Sequence, residues 1–513
     1  MGEMAKSLIG WARTSPSPVP HLFLKYTSIK LAVGAMALMA MKELPIHAAE
    51  SSPVQPNIVM ILADDLGYGD MGYTGSTGLK TPHLDQLAAS GVFCTQGYVT
   101  SSVCAPSRAG LITGRDPRRF GFEGNMNQSS EQYPTRPDLV GLPTNEHTLA
   151  DHLKAVGYRT ALIGKWHLGE RPVFHPNRRG FDFFCGMLRG GHTYFPTVEN
   201  SQLERNGRKV TEFSSPYLTD FLTDEAIRWM SESDSSDSKK PFFLYLAYTA
   251  PHAPWEATAE DMKRFSHIKD ENRRTYAAMV YALDRGVGRI VDWLKKENKI
   301  SDTLIVFFSD NGGPCHSGRS WNGPLSGSKG TLLEGGIRVP MIWSWPERLP
   351  AGKRYDSPVS SLDLLPTFLA AANGKPLPLA PAQFYEDAGN RKHASEIYGD
   401  YDGINVLPSF STAVKTPDRT LFWRLQGQRA VLHGEDKLIA LSHRPPQLFR
   451  PKSDPGERTD LASSEPAKMN ALFKRLGQWE SSLATAPLFD ESPRWWGHSA
   501  DLYDTCVPRA EPQ

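Results

Sequence analysis

Four continuous apolar runs, each followed at once by polar residues, constrain the fold of this chain more than any other feature. Each run has the length of one buried strand, and β-branched or aromatic side chains are frequent in them. Helical patterns separate the runs, and strands that are apolar on both faces are typical of parallel sheets covered on both sides. The pattern predicts an α/β fold with a mostly parallel central sheet that helices cover on both faces. The runs span residues 58–63, 160–163, 242–247 and 304–308.

Helical spacing between the runs supports this arrangement. Short helices are predicted around Leu84 and Leu87, over 144–156 and over 221–230. The longest is predicted over 272–296, where apolar side chains recur along one helix face and so predict core packing. A fifth strand is predicted at 339–343, after a glycine-rich loop.

The composition of the sequence changes after residue 375, where long apolar runs give way to shorter and more polar segments. Residues 375–381 are rich in proline, and beyond them short segments such as 421–424 and 429–432 mix apolar and polar residues. Residues 469–483 predict a closing helix. We therefore predict a catalytic domain over 51–375 and a smaller C-terminal α+β domain over 382–513 that contains an antiparallel sheet.

The first fifty residues have the features of a signal peptide. Lys25 and Lys30 precede an apolar run over 31–41, and small residues at 48–49 offer a cleavage site. The run is too short for a transmembrane helix, which needs about 20 residues. We expect an exported protein, periplasmic or secreted, with a membrane anchor as the alternative. The net charge of +1 argues against a nucleic-acid partner or stable membrane association.

Polar residues of catalytic type follow each of the four apolar runs. In an open α/β sheet, ligands bind beyond the carboxyl ends of the strands. Because parallel strands end at one edge of the sheet, we expect these side chains to converge there, although each pair alone would also fit a turn or a helix cap. They are Asp64 and Asp65, Lys165 and His167, His252, and Asp310 and Asn311.

The ligand types at this edge predict the kind of metal ion. Asp64, Asp65, Asp310 and Asn311 offer only oxygen, which suits a hard cation such as Ca²⁺ or Mg²⁺. Zinc prefers histidine or cysteine at ligand spacing, and no such cluster accompanies these acids in the sequence. The sequence therefore predicts one Ca²⁺ or Mg²⁺ site.

Cys104 and Arg108 form a second candidate group, in a segment stiffened by Pro106. A fixed positive charge lowers the pKa of a nearby thiol and makes it reactive; the alternative is a buried, inert cysteine. If the other four of the five cysteines formed disulfides, Cys104 would be left over. Arg108, Lys165 and Lys329 could neutralise an anionic substrate.

Two histidines are candidates for proton transfer near neutral pH, His167 and His252. His192 is instead interpreted as structural. Trp255, Trp321 and Tyr194, with His192, fit either a sugar subsite or the core, and core packing is the more common role of such side chains.

With these residues in place, the chain resembles type I sulfatases, the arylsulfatase-like members of the alkaline-phosphatase superfamily. Residues 104–108 match the C-x-P-S-R signature of that family, and 157–167 match its second signature. Further family blocks follow in the expected order at 249–252, 309–313 and 329–340, and the resemblance extends from about 57 to 481. One departure is Ser326, where many relatives carry arginine.

The resemblance implies a different chemistry for Cys104. In the family this cysteine is oxidised by a maturation enzyme to formylglycine, whose aldehyde is hydrated in the resting state. One hydroxyl of the hydrate attacks sulfur and displaces the alcohol, and the other is deprotonated so that sulfate leaves and the aldehyde returns.

The resemblance also implies a role for each site residue. Asp64, Asp65, Asp310, Asn311 and modified Cys104 would bind Ca²⁺, and Asp310 would help to deprotonate the attacking hydroxyl. Arg108 and Lys165 would hold the hydrate, His167 would be the base for sulfate release, and His252 with Lys329 would bind sulfate and assist the leaving oxygen.

The implied activity is hydrolysis of sulfate monoesters of a sulfated small molecule or polysaccharide, and of aryl sulfates. Two alternatives stay open. One is a formylglycine-dependent hydrolase of phosphonate monoesters or phosphodiesters, which would use the same side chains. The other is a non-catalytic protein that binds sulfated glycans.

Overall fold

The described residues between 55 and 483 contain fifteen strands and ten α-helices, and we analysed the molecule as a computed structural model. It describes residues 55–126, 140–232, 240–377, 401–411, 417–483, 501–508 and 510–511. Within these ranges no helix is long and apolar enough to cross a membrane. The predicted signal peptide (1–50) and most of the proline-rich segment 375–381 lie outside the described residues.

An eleven-stranded sheet forms the centre of the fold. Four of its strands, β8, β1, β7 and β3, are consecutive and mutually parallel. These are the four apolar runs of the sequence, each longer than or equal to its predicted range, so the predicted parallel core is confirmed. The eleven strands are β1 (Asn57–Ala63), β2 (Val92–Tyr98), β3 (Arg159–Lys165), β4 (Phe183–Met187), β5 (Glu204–Arg205), β6 (Arg208–Lys209), β7 (Phe242–Ala247), β8 (Thr303–Ser309), β9 (Arg338–Ser344), β10 (Lys353–Tyr355) and β11 (Val359–Ser360).

Helices cover both faces of this sheet, as the sequence predicts. Alternate residues of β1 belong to two different apolar clusters, with Met60 on one face and Ile61 on the other. The helices are α1 (Pro82–Ala89), α2 (Cys104–Thr113), α3 (Leu149–Ala155), α4 (Leu218–Ser231), α5 (Ala259–Arg264), α6 (Glu271–Lys296), α7 (Glu334–Ile337), α8 (Leu364–Ala371), α9 (Leu407–Ser411) and α10 (Pro466–Glu480). Helices α2, α3 and α8 pack on the face of Met60, and α1, α4 and α6 pack on the face of Ile61.

Strand β9 corresponds to the fifth predicted strand, and it runs antiparallel to its neighbours β8 and β2. An apolar run carries no information about strand direction, which depends here on the connection through α7. Helix α3 is shorter than the predicted 144–156, because Thr148 caps it and forms a capping box with Asp151.

A second, four-stranded antiparallel sheet lies in the C-terminal region, as predicted. Its strands are β12 (Thr420–Leu425), β13 (Gln428–His433), β14 (Asp436–Leu441) and β15 (Arg444–Phe449). Helix α10 packs on one face through Leu472 and Leu476. The other face packs on Leu332 and Leu333, which precede α7, and on Ile337, the last residue of α7. The second sheet therefore lies directly behind the loop that leads into β9.

Residues Gln55–Gln513 belong to one compact unit. The boundary between a catalytic domain at 51–375 and a C-terminal domain at 382–513 stays a prediction.

Candidate active site

The carboxyl ends of β1, β3, β7 and β8 meet at one edge of the central sheet, and the loops that follow them carry the predicted residues. The backbone N–H of Asp310 donates to Ala63, and that of Asp64 donates to Ala250. Two further bonds fix the turn after β1, since Asp65 N–H donates to the Asp310 carboxylate at 3.2 Å and Leu66 N–H donates to Ser309 at 3.0 Å. The turns after β1 and β8 are thus joined into one unit.

Helix α2 begins at Cys104, and all ten of its residues are buried. Pro106 lies in the first helical turn, where its missing N–H leaves no bond unmade. The Ser107 hydroxyl donates to the Asp310 carbonyl, which fixes the helix start against the end of β8. The Cys104 side chain therefore points between the acids, with Sγ 3.6 Å from an Asp64 oxygen and 3.3 Å from Lys329 Nζ.

The sequence leaves open whether the Cys104 thiol is activated or inert. Burial raises its pKa to about 12, and the positive charges of Lys165 and Lys329 lower it only in part. Arg108 does not pair with the thiol, because its guanidinium binds carboxylates. The surroundings of the unmodified side chain therefore favour the second alternative, a buried and inert cysteine.

A fully buried chain of ion pairs runs beneath the thiol. Arg108 binds Asp310 through Nε at 2.9 Å and Nη2 at 2.8 Å, and its Nη2 lies 3.5 Å from Asp64. Lys165 Nζ donates to the same Asp64 oxygen, Oδ2, at 2.5 Å. Burial and the negative charge of Asp64 raise the pKa of Asp310 to about 6, against the opposing effect of Arg108.

A second group faces the opening of the site. Lys329 Nζ binds Asp65 at 2.8 Å, and His252 Nε2 lies 3.7 Å from the same carboxylate. Burial alone would raise the pKa of Asp65, but Lys329, His252 and a hydrogen bond from Asn311 outweigh it and hold that pKa below its usual value. The His252 and Lys329 side chains keep 21% and 11% of their surface exposed, whereas those of Arg108 and Lys165 keep none. A ligand would therefore meet His252 and Lys329 first.

Both predicted histidines are neutral at neutral pH in this environment. Burial, with Lys329 next in effect, lowers the pKa of His252 to about 3. Burial, followed by the charges of Lys165 and Arg108, holds the pKa of His167 well below its usual value. His167 Nδ1 is buried without a hydrogen-bond partner, and the ring lies against Gly190.

Two site residues adopt left-handed backbone conformations that non-glycine residues seldom take. Asp65 has φ 65° and His167 has φ 56°. Strain of this kind is found most often at functional positions, where the surrounding structure imposes it.

The residues present fit a hard cation. One ligand atom each from Asp64, Asp65, Cys104 and His252 lies within 4.8 Å of the others. The Asn311 side-chain oxygen is buried without a hydrogen-bond partner. The amide nitrogen of the same side chain donates to Asp65. An unpartnered oxygen beside carboxylates is a donor available to a cation such as Ca²⁺.

The charges of the site also favour a cation together with an anionic ligand. The three carboxylates of Asp64, Asp65 and Asp310 balance the three cations of Arg108, Lys165 and Lys329. A divalent cation would leave a net positive charge in a buried site, which an anion would compensate.

Other predicted candidates lie in the surrounding structure. Tyr194 is fully buried, with its hydroxyl donating to Thr249 and His252 carbonyls, which places it in the core. His192 accepts a hydrogen bond from Gln202 N–H, as expected of a structural histidine. Trp255 stacks with Arg319 at 3.8 Å.

The other four cysteines do not form the disulfides that would leave Cys104 over. Cys94, Cys104 and Cys185 are buried free thiols. Every pairing of the other four cysteines would use both Cys94 and Cys185, so none of those sets is present.

Sequence reasoning missed several residues that shape the site. Ser107 anchors α2, and the Tyr276 hydroxyl of α6 accepts from Gly67 N–H at 3.2 Å, behind the turn that follows β1. Tyr276 belongs to the apolar stripe of its helix, which gave no signal of this bond. For Ser107 the available clue was its place in the C-x-P-S-R signature at 104–108.

Comparisons with known proteins agree with the fold. The sulfatase family model matches residues 56–374. Arylsulfatase J of Mus musculus is 32% identical over 87% of this chain and 79% of its own length. N-acetylgalactosamine-6-sulfatase of Sus scrofa is 35% identical over 82% of this chain and 85% of its own.

A solved structure is similar over most of its length. The crystal structure of Ps i-CgsB in complex with k-i-k-neocarrahexaose has a TM-score of 0.75 and 38% sequence identity, and the match covers 87% of this chain and 98% of that one. The chain belongs to the sulfatase family and is a sulfatase of type I. Its reaction is the hydrolysis of a sulfate ester.

Proposed function

We propose that this protein hydrolyses sulfate monoesters of a sulfated carbohydrate, using a formylglycine made from Cys104 and one bound Ca²⁺. The observation that carries the proposal is the position of Cys104, whose Sγ lies between the Asp64 carboxylate and Lys329 Nζ. A thiol with a pKa near 12 is a poor nucleophile at neutral pH. A reactive group made from the thiol explains why carboxylates and cations surround the Cys104 side chain.

The oxygen ligands Asp64, Asp65, Asp310 and Asn311, with modified Cys104, would hold the ion. When bound, Ca²⁺ supplies positive charge beside the nucleophile and the sulfate oxygens. The unpartnered Asn311 oxygen supports this ligand set. The preference for Ca²⁺ over Mg²⁺ rests on the family resemblance.

Formylglycine at position 104 supplies the hydroxyl nucleophile when hydrated. Asp310, with its pKa raised to about 6, can accept a proton from the neighbouring group near neutral pH. Arg108 and Lys165 bind Asp310 and Asp64 beneath the side chain and so fix its surroundings.

At the open side, Lys329 and His252 are placed to bind a sulfate group. Lys329 donates N–H bonds to oxygen, and its ammonium stays charged, since Asp65 raises its pKa despite burial. A neutral imidazole at His252 or His167 can accept a proton through one ring nitrogen and donate a hydrogen bond through the other without a prior change of charge. We assign sulfate binding and assistance to the leaving oxygen to His252, and the base for sulfate release to His167.

The substrate class is drawn from the relatives. The similar proteins include a sulfatase named for N-acetylgalactosamine-6-sulfate and a structure bound to neocarrahexaose. Carbohydrate sulfates are the substrate class that these names share. Export to the periplasm or medium, predicted from residues 1–50, would bring the enzyme to such polymers. A host formylglycine-generating enzyme is the implied maturation partner.

Peptide mass spectrometry across residue 104 tests the nucleophile. Protein from its native host should show the mass of formylglycine in the active fraction. A fully active preparation that carries only the unmodified thiol would refute the proposal. Cys104→Ala should abolish turnover and leave the melting temperature close to that of the parent, because the change removes one sulfur atom.

Parallel assays separate the sulfatase from the phosphonate hydrolase alternative. Aryl sulfate and aryl phosphonate monoesters with the same leaving group should be turned over with a clear preference for the sulfate. A panel of sulfated oligosaccharides then tests the carbohydrate class, and a matured protein that binds them without releasing sulfate would support the glycan-binding alternative.

A further inference from the structure

The turn that carries Lys329 is anchored on both sides by backbone hydrogen bonds to other parts of the site. Lys329 N–H donates to the Gly313 carbonyl at 3.3 Å, in the loop that follows the metal ligand Asn311. Gly330 N–H donates to the Ser102 carbonyl at 2.9 Å, two residues before Cys104. The position of the ammonium thus depends on how this turn is held.

One side chain of the second sheet reaches this turn and binds it twice. Gln428, at the start of β13, is fully buried. Its Nε2 donates to the Gly330 carbonyl at 2.8 Å, and its Oε1 accepts from Leu332 N–H at 3.2 Å. The Gln428 amide therefore clamps the residue after Lys329 and the residue two positions further on.

Tyr503 completes the clamp from the C-terminal segment. Its hydroxyl donates to Gln428 Oε1 at 2.5 Å and accepts from Leu332 N–H at 2.9 Å. The bonds fix which end of the Gln428 amide carries oxygen, because that end accepts two donors. Cys506 of the same segment accepts from Gly327 N–H at 2.7 Å, just before the turn.

We infer that Gln428, backed by Tyr503, is the positioning residue for Lys329. The inference rests on the proposed role of Lys329 in binding the sulfate group. A side chain with four rotatable bonds above a mobile turn would spread its ammonium over several positions, and misplacement by about 1 Å costs a large part of the rate. Two hydrogen bonds from one planar, buried amide hold both ends of the turn in a single geometry.

A second feature shows that this contact differs from ordinary sheet packing. The face of the second sheet toward α7 is largely apolar, with Leu421, Trp423 and Leu432 in the same cluster as Leu332. Its buried Lys437 binds Glu334 of α7 and Glu457 and not the turn of Lys329. A buried glutamine in such a face is stable only because every polar atom it offers has a partner. The hydrogen bonds of Gln428 reach Gly330 and Leu332, in the turn that carries Lys329.

The test compares Gln428→Met with Gln447→Met in the full-length matured enzyme. Gln447, on β15 of the same sheet, is partly buried and forms a matched control for loss of a glutamine. We expect Gln428→Met to lower kcat/KM about tenfold and to raise the inhibition constant of inorganic sulfate about tenfold, with Gln447→Met within twofold of the parent for both.

A double-mutant comparison separates positioning from general destabilisation. In a Lys329→Met background, Gln428→Met should change sulfate binding, measured by calorimetry, less than twofold, because the group it positions is gone. Equal losses in both backgrounds, or equal effects of the two glutamine changes, would overturn the inference. If Gln428→Met fails to fold, Tyr503→Phe removes one hydroxyl of the clamp and should weaken sulfate binding about threefold; unchanged binding would also overturn it.

Failure of the proposed function gives a different result. A protein that binds inorganic sulfate through Lys329 but hydrolyses no sulfate ester would refute the catalytic proposal and leave the positioning role standing. Normal turnover with Gln428→Met would refute the positioning role alone.

Discussion

Replacement of Gly190 by alanine should disable His167 while leaving the fold intact. A Cβ atom built on Gly190 would lie 2.7 Å from both Cε1 and Nε2 of the His167 ring. Ordinary contacts between such atoms are about 3.5–4.0 Å, so the ring must move by roughly 1 Å. A displacement of that size at a catalytic group costs about 10²-fold in rate, which is about 2.7 kcal/mol of transition-state stabilisation.

The neighbouring glycine provides the control. A Cβ on Gly191 would lie 3.6 Å from the Ala253 carbonyl and 3.7 Å from His252 Cε1, both ordinary contacts. In an aryl sulfate assay on matured protein, we expect Gly190→Ala to lose about 10²-fold in kcat/KM and Gly191→Ala to stay within threefold of the parent. Equal activity of the two variants, at equal melting temperatures and formylglycine content, would refute the role given to His167.

Three further outcomes follow from the charges of the molecule. Arg108→Lys should lower kcat/KM at least 10²-fold in the same assay, because lysine cannot reproduce the two bonds of 2.8 and 2.9 Å to Asp310; near-parent activity would contradict this. Since the pKa of Asp310 is raised to about 6 and a ligand must be deprotonated, Ca²⁺ affinity measured by calorimetry should fall about tenfold from pH 7 to pH 5; a flat profile would exclude Asp310 as a ligand. Lys437 binds Glu334 and Glu457 at 2.8 Å each with no side-chain exposure, so Lys437→Met should lower the free energy of unfolding by about 3–5 kcal/mol in guanidinium titrations; a loss below about 1 kcal/mol would show that the two carboxylates find other partners.

The apolar runs predicted the parallel core well because their burial on both faces leaves a direct signal in the sequence. Strand β2 (Val92–Tyr98) gave no such signal, since it contains Thr95, Gln96 and Gly97. Its polar side chains are buried, but they bind a neighbouring segment, and Thr95 donates to Asp356 at 2.7 Å. Composition cannot distinguish a polar residue with a buried partner from one that faces water.

The site residues were predictable because each follows a recognisable strand or signature, and all of them meet at one edge. What could not be predicted is how they pair. Proximity of Arg108 to Cys104 in the sequence indicated an activated thiol, whereas the guanidinium binds Asp310 and Asp64 from the next elements of the sheet. The role of Gln428 could not be predicted either, because its partners are distant in the sequence. The turn lies about 100 residues earlier in the chain, and Tyr503 lies 75 residues later.

The pairing of β1 with β8 has a consequence for the timing of synthesis. Residue 63, at the end of β1, precedes residue 303, at the start of β8, by 240 positions. At about 5–20 residues per second, a ribosome needs roughly 12–48 s to make the partner of the first strand. Cys104 is 2% exposed in the folded protein. Residue 104 precedes residue 303 by 199 positions, so an enzyme that modifies this thiol has roughly 10–40 s at the same rate in which the nascent chain offers it, before the closing of the sheet removes it from reach.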